Sequence, residues 1–218
     1  MFHTPYGTFA YLVMPFGLKN APHTYSKVTT KAFAQLIRKS VEAYIDDMGT
    51  YSFTFEDHLQ DLARMFDATL KVNIHLKASK CHFCYPEIEF VGHLVGAHGI
   101  RMMPDKVTKI NEWPVPSNKT ELQSFLSLVR YYHHFVKDFT EKAFLLNKLT
   151  AKSTSFEWQE IHQEAFEQVK KMLTSAPILC KPNYEQDWIL EVDASDVAIG
   201  VVLAQEQEYD HDIHPVYF

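Results

Sequence analysis

The first 41 residues contain no acidic side chain. Lys19, Lys27, Lys31, Arg38 and Lys39 all precede Glu42, so this opening block is purely cationic at +5. It reads equally as a solvated basic helix face or as a phosphate-facing surface. The whole chain of 218 residues carries a net charge of −6, because residues 111–218 hold 9 basic and 17 acidic side chains. That total argues against a uniformly basic nucleic-acid binder and makes the distribution of charge the informative quantity.

Other absences narrow the class. No apolar run approaches the roughly 20 residues that a membrane helix needs. The opening MFHTPYGTF lacks the basic region and apolar block of a signal peptide. Three cysteines, an odd count in a chain this long, do not make a disulfide scaffold. There is no internal repeat and no low-complexity tract. The expectation is an intracellular protein of the cytoplasm or nucleus with no membrane partner. A hydrophobic fraction of 46% with 14% aromatics excludes disorder, and the length suffices for a real core.

The local patterns predict a mixture of helices and strands. Thr8–Met14 (TFAYLVM) reads as a buried strand, followed by the turn signal PFGLKNAP. Pro22 suits the first turn of a helix running to about Lys39. Val41–Ile45 and Thr50–Phe53 read as a hairpin with Asp46-Asp47-Met48-Gly49 between them, Gly49 supplying positive φ. A helix over His58–Leu70 carries an apolar stripe of Leu59, Leu62, Phe66 and Leu70. Glu89–Val95 reads as a strand and Ala97-His98-Gly99 as a turn. Asn118 and Glu121 suggest a capping box before about five helical turns ending near Phe139. A helix over Gln159–Thr174 and a hairpin pairing Trp188–Val192 with Gly200–Ala204 complete the pattern.

AYIDDMGTYS, residues 43–52, poses the chemical question. Aspartate is a favoured turn residue, so Asp46-Asp47 has a purely structural explanation. On a regular strand, adjacent side chains point to opposite faces and cannot serve one ion. At a hairpin tip both carboxylates can project toward one place, where hard cations such as Mg²⁺ take carboxylate oxygens. Cys81-x2-Cys84 with His93 and His98 mimics a zinc pattern, but its Cys-to-His gap is short of the usual one. The Phe/Tyr-rich stripe over 125–139 keeps helical period and reads as core rather than as a base-stacking platform.

YIDD at 44–47, preceded by VMPFGLKNAP at 13–22, resembles the reverse transcriptases of gypsy-type LTR retrotransposons. LKASKCHF (76–83), FVGHLVGAHGI (90–100), KINEWPVPSNKTELQSFLSLVRYYHHFVKDF (109–139), FEWQEIHQEAFEQVKKMLTSAPIL (156–179) and LEVDASDVAIGVVLAQ (190–205) continue the resemblance in order. It implies an α+β fold: a partial polymerase palm sheet with helices, a helical thumb, then the first strands of an RNase H-like domain. The implied domains are palm over 1–100, thumb over 101–152, and a connecting helix with the start of the RNase H-like domain over 153–218.

By resemblance, Asp46 and Asp47 look like the palm carboxylates that hold Mg²⁺, with Mn²⁺ as an alternative ion. Tyr44 looks like the aromatic beside the primer end, and Pro15, Phe16 and Gly17 like the turn lining the nucleotide and template pocket. Lys80 resembles a lysine assigned proton donation to pyrophosphate. Phe90, Val91, Gly92 and His93 look like the primer grip, and Asp193 like the first acid of an RNase H site, a second place for Mg²⁺. The implied partners are an RNA/DNA primer-template and dNTP, and an upstream Pol segment or an intact copy.

The same pattern implies a third palm carboxylate upstream of the PFG block, and nothing acidic precedes Glu42. Glu206, Glu208, Asp210 and Asp212 follow Asp193 in a polar, loop-like stretch and are not assigned to an RNase H site. The expectation is therefore a fragment truncated at both ends and inactive alone; the alternative is a non-catalytic remnant that binds nucleic acid or protein. Met48-Gly49-Thr50 where the family has an aliphatic run, Lys77 for Asn, Ser127 for Gly and His134 for Arg are further departures.

Overall fold

Short hairpins and capped helices, rather than one continuous sheet, organise the chain. The computed structural model describes residues 1–194, 198–208 and 210–218, which gather into two compact units, Met1–Tyr85 and Pro86–Phe218.

The first unit opens with β1 (Phe2–Thr4) and β2 (Gly7–Phe9), an antiparallel hairpin with Phe2 opposite Phe9. The buried strand expected over Thr8–Met14 is not formed: regular structure stops at Phe9, and Leu12, Val13 and Phe16 are exposed. A strand buries its apolar side chains only against another layer, and none among the described residues covers this one. Helix α1 (Ala21–Ala32) has Pro22 in its first turn, as expected, but ends well before Lys39. The chain instead turns through residues 33–40, with Arg38 in the left-handed region. That turn seats Phe33 in a small core with Val41 and Met65, all three buried.

Val41 belongs to β3 (Val41–Tyr44), which pairs antiparallel with β4 (Asp47–Thr50). Helix α2 (Phe55–Lys71) is capped by Thr54, whose hydroxyl oxygen accepts from the Asp57 N–H at 3.1 Å. Its orientation overturns the expected apolar stripe. Leu59, Phe66 and Leu70 are exposed, whereas Asp61, Met65 and Thr69 are buried. Hydrogen bonding accounts for the difference. The Asp61 carboxylate accepts from the Ser52 hydroxyl at 2.7 Å and from Arg64 at 2.9 Å, and the Ser40 hydroxyl reaches it too. Ser40 and Ser52 flank the β3–β4 hairpin, so Asp61 ties both ends of the hairpin base to α2.

The second unit begins with a three-stranded antiparallel meander of β5 (Glu87–Phe90), β6 (His93–Gly96) and β7 (Gly99–Met102). The single strand expected over Glu89–Val95 is in fact two, broken by a turn at Val91-Gly92. Helices α3 (Pro104–Asn111), α4 (Lys119–Tyr131), α5 (Phe139–Lys142), α6 (Phe144–Leu149) and α7 (Glu160–Thr174) follow. Asn118 caps α4 by accepting from the Glu121 N–H at 2.9 Å, while the Glu121 carboxylate accepts from the Ser117 N–H at 2.8 Å. The expected reciprocal cap is present, closed one residue earlier in the chain.

The five-turn helix expected after Asn118 is interrupted. A tight 3₁₀ turn over His133–Phe135 follows α4, and Asp138 at φ +56° restarts the chain as α5. The break lets Tyr132, Phe135, Val136 and Phe139 all enter one core with Phe166, Val169 and Leu173 of α7. A final meander, β8 (Ile189–Ala194), β9 (Ile199–Glu206) and β10 (Ile213–Tyr217), contains the expected hairpin with a third strand added. Ile100 and Leu179 exchange backbone hydrogen bonds of 2.8 and 2.9 Å, joining β7 to the segment after α7. Gly99 makes this approach possible, since a Cβ there would lie 2.1 Å from the Leu179 carbonyl oxygen.

Substituting Asp61→Ala should destabilise the first unit by about 2 kcal/mol, because it leaves the buried Ser40 and half-buried Ser52 hydroxyls without their acceptor; urea denaturation measures it. The Asp61 carboxyl is held below its ordinary 3.8, chiefly by the Ser52 hydroxyl bond. Its contribution is therefore complete above that value and fades as pH falls below it, and D61A should remove that fall.

Candidate functional site

The acidic pair sits at the tightest point of the first unit. Tyr44 pairs directly with Asp47, leaving Ile45-Asp46 as a two-residue loop. The positive φ falls on Ile45, at +54°, and Asp46 lies outside the left-handed region. The expected four-residue turn with Gly49 at its hinge is thus replaced: the strand resumes at Asp47, and Gly49 lies buried within β4 opposite Glu42. A two-residue loop matches the twist of its flanking strands, so the register closes early. The cost lands on a β-branched residue, for which this conformation is unfavourable by about 1–2 kcal/mol.

Asp46 and Asp47 are both exposed, and neither carboxylate takes part in a hydrogen bond or ion pair among the described residues. Two unengaged carboxylates with no nitrogen or sulfur donor beside them suit a hard divalent cation. Among the described residues no group of three His, Cys, Asp or Glu side chains could hold a metal ion. The pair therefore offers two ligands of a larger set. Tyr44 beside it is 55% exposed, its ring available as a surface.

The remaining expected residues of this unit are dispersed. Pro15 is half-buried, Phe16 projects fully into solvent and Gly17 lies in the turn before α1. Lys80 ends a 3₁₀ turn over Ala78–Lys80 and is exposed. No hydrogen bond, ion pair or ring contact joins these residues to Asp46 or Asp47 among the described residues.

In the second unit, Phe90 and His93 pair across the β5–β6 turn, and Val91 and Gly92 both adopt positive φ, at +48° and +71°. Both turn carbonyls are held by the end of α4. The Tyr131 hydroxyl donates to the Val91 carbonyl at 2.7 Å, and the Tyr132 hydroxyl to the Gly92 carbonyl at 3.2 Å. His93 Nδ1 lies 2.8 Å from the Val91 carbonyl, which can only accept, so that nitrogen carries the proton. Its Nε2 is buried without a hydrogen-bond partner among the described residues and ringed by Tyr131, Tyr132, His134 and Phe135. Burial, reinforced by His93 and His133, pushes the His134 imidazole down to about 4. Burial likewise pushes Tyr132 up to about 12, keeping it a donor. Sequence reasoning named Phe90–His93 but missed Asp61, Tyr131 and His134 as partners. Adjacent tyrosines at a helix end were the signal available.

Asp193 lies exposed on β8 opposite Gly200. It lines an open groove of about 340 Å³ together with His133, Asp138, Glu141 and Tyr217. Three of the four unassigned acids of the last strands are engaged elsewhere: Asp210 with His214 at 2.7 Å, Glu206 with His211, Glu208 with Gln186.

Residues 1–95 match the reverse transcriptase (RNA-dependent DNA polymerase) family, and residues 158–218 match the RNase H-like domain found in reverse transcriptase. The chain therefore carries reverse transcriptase and RNase H-like sequence of the kind found in transposon Pol polyproteins. It is 34% identical over its full length to a retrovirus-related Pol polyprotein from transposon 297 of Drosophila melanogaster, of which it covers 20%. It is 29% identical over 215 residues to the transposon Tf2-3 polyprotein of Schizosaccharomyces pombe, covering 16% of it. The chain thus spans a fifth or less of the length of these relatives.

Foamy viral protease-reverse transcriptase in complex with dsDNA superposes with a TM-score of 0.80 at 22% identity, over 94% of this chain and 42% of that one. The same protein in complex with RNA/DNA hybrid gives 0.78 at 22% identity, over 94% and 27%. The mixed helices and small sheets therefore share the fold of these reverse transcriptases. Reverse transcriptases and RNases H of this family work with divalent metal ions.

Two outcomes follow for this chain. Asp46→Asn and Asp47→Asn should each leave thermal stability within about 0.5 kcal/mol, since neither carboxylate has an internal partner to lose. His134 binds its proton less readily folded, at about 4, than unfolded, near 6.5. The second unit should accordingly lose stability as pH falls from about 6.5 toward 4, and His134→Asn should flatten that slope in pH-dependent melting.

Proposed function

We propose that this chain supplies palm, thumb and RNase H-like elements of a reverse transcriptase that extends a primer on an RNA or DNA template. The palm would occupy 1–100, the thumb 101–152, and the connecting helix with the RNase H-like strands 153–218. The observation that carries the reading is the hairpin tip, where Ile45 turns the chain so that two unengaged carboxylates stand side by side.

In this reading Asp46 and Asp47 contribute oxygen ligands to Mg²⁺, and Mn²⁺ can substitute. A divalent ion bound there would supply charge stabilisation to a phosphoryl transfer from dNTP to a primer 3′-hydroxyl. Asp61 fixes the base of the hairpin and hence where the carboxylates stand. The exposed ring of Tyr44 offers a flat apolar face beside them. Pro15, Phe16 and Gly17 would line the nucleotide and template pocket, and Lys80 is free to donate a proton to a leaving pyrophosphate. Phe90, Val91, Gly92 and His93 would form the primer grip. Asp193, exposed at the end of a strand, would serve as the first carboxylate of an RNase H-like centre and a ligand of its own ion.

A second reading, a nucleic-acid binder without catalysis, is favoured by one specific observation: no third carboxylate joins the pair among the described residues. Millimolar Mn²⁺ should broaden the amide resonances around Asp46 and Asp47, and Asp46→Asn with Asp47→Asn should abolish the broadening. Unchanged spectra on adding Mn²⁺ would remove the metal-binding role. The 218-residue chain alone should give no extension of a primer on an RNA template with either ion. Extension would overturn the requirement for a further carboxylate. Salt-sensitive duplex binding that is indifferent to the double substitution would favour the second reading.

A further inference from the structure

The turn at Val91-Gly92 is held in a conformation that its own sequence resists. Both residues are left-handed, the φ pattern of a type I′ turn, which favours Asn-Gly and penalises a β-branched first residue. Strained backbone persists where its surroundings over-determine it, and such places cluster at ligand-handling positions. Here the surroundings are three donors aimed at two carbonyls. Tyr131 and His93 converge on the Val91 oxygen at 2.7 and 2.8 Å, and Tyr132 holds the Gly92 oxygen at 3.2 Å. The two tyrosines stand 40 residues further along the chain, at the end of α4.

The clamp crowds the second turn position, where a side chain would have to push the Tyr131 hydroxyl aside. A Cβ on Gly92 would come 3.3 Å from the Tyr131 hydroxyl oxygen. Tyr132 is 1% exposed and cannot serve a ligand directly through its ring, so its hydroxyl has one use, the Gly92 carbonyl. Tyr131 is 47% exposed, yet its hydroxyl is likewise committed.

We propose that Tyr131 and Tyr132 are positioning residues for a primer end, their hydroxyls holding the Val91-Gly92 turn in its left-handed form and coupling it to α4. This rests on the assignment of Phe90–His93 as the primer grip. A primer end seated on the turn is then registered against the thumb helix, because the two move as one body. Tyr→Phe at either position removes one hydroxyl and no ring.

The test uses the full 218-residue chain with Tyr131→Phe, Tyr132→Phe and both together. Fluorescence anisotropy compares a duplex with a recessed 3′ end against a blunt duplex of the same sequence. The wild-type chain should prefer the recessed end, and the double variant should lose about tenfold in affinity for it while binding the blunt duplex unchanged, as expected for two lost hydrogen bonds of ordinary strength. Adding Val91→Asn, which makes the turn self-sufficient, should restore the preference without either hydroxyl. Equal losses on both duplexes, or no rescue, would mean the tyrosines merely stabilise the fold and would overturn the proposal. A wild-type preference that survives in the double variant would overturn it while leaving the primer-grip assignment intact. No preference in the wild-type chain would instead remove that assignment, and the proposal with it.

Discussion

Two tight turns carry β-branched residues where the backbone runs left-handed, and the arrangement of the candidate sites depends on that constraint. Ile45 at φ +54° sets Asp46 and Asp47 at the hairpin tip, and Val91 at φ +48° shapes the turn clamped by Tyr131 and Tyr132. Neither residue would choose this conformation in a free chain. Each is held by hydrogen bonds made by side chains outside the turn: Asp61 to Ser40 and Ser52 at the base of one hairpin, two tyrosine hydroxyls at the tip of the other. The difference in placement matters. A hairpin held at its base leaves its tip open to ligands, whereas one held at its tip is itself fixed.

The first unit illustrates how a few buried polar contacts can outweigh a hydrophobic pattern. Helix α2 has an apolar stripe good enough to be read as core, yet Leu59, Phe66 and Leu70 lie outward while Asp61 is buried. A carboxylate satisfied by two hydroxyls and a guanidinium meets its desolvation cost. Together with exposed Leu12, Val13 and Phe16, this leaves considerable apolar surface on a unit whose own core is small.

What could be read from the sequence was local. The Asn118 cap, the span of α7, the β8–β9 hairpin and the existence of a turn at Asp46 all follow from signals within a few residues. So did the family, because its blocks are contiguous strings. What escaped was decided at a distance. The break between Phe90 and His93 depends on hydroxyls 40 residues away. The early end of α1 depends on a core shared with Val41 and Met65. The hairpin register turns on Ile45 accepting a conformation that glycine accepts more readily, which nothing near Ile45 in the sequence signals while Gly49 stands four residues on. Of the candidate residues, the aspartates were legible from pairing alone, whereas their supports were not.

The Ile100–Leu179 bridge has a consequence for how such a chain can change over time. It brings together the entry and exit of everything from α3 to α7, with Gly99 pressed against the Leu179 carbonyl. The ends of that helical stretch are already neighbours, so altering its length adds little closure entropy. The stretch is closed at its base by this bridge and held again further out, where its own Tyr131 and Tyr132 bond the Val91-Gly92 turn. Lineages can lengthen or shorten it while the meander before the bridge and the strands after it keep their register, provided position 99 stays without a side chain and the two tyrosines stay at the end of α4.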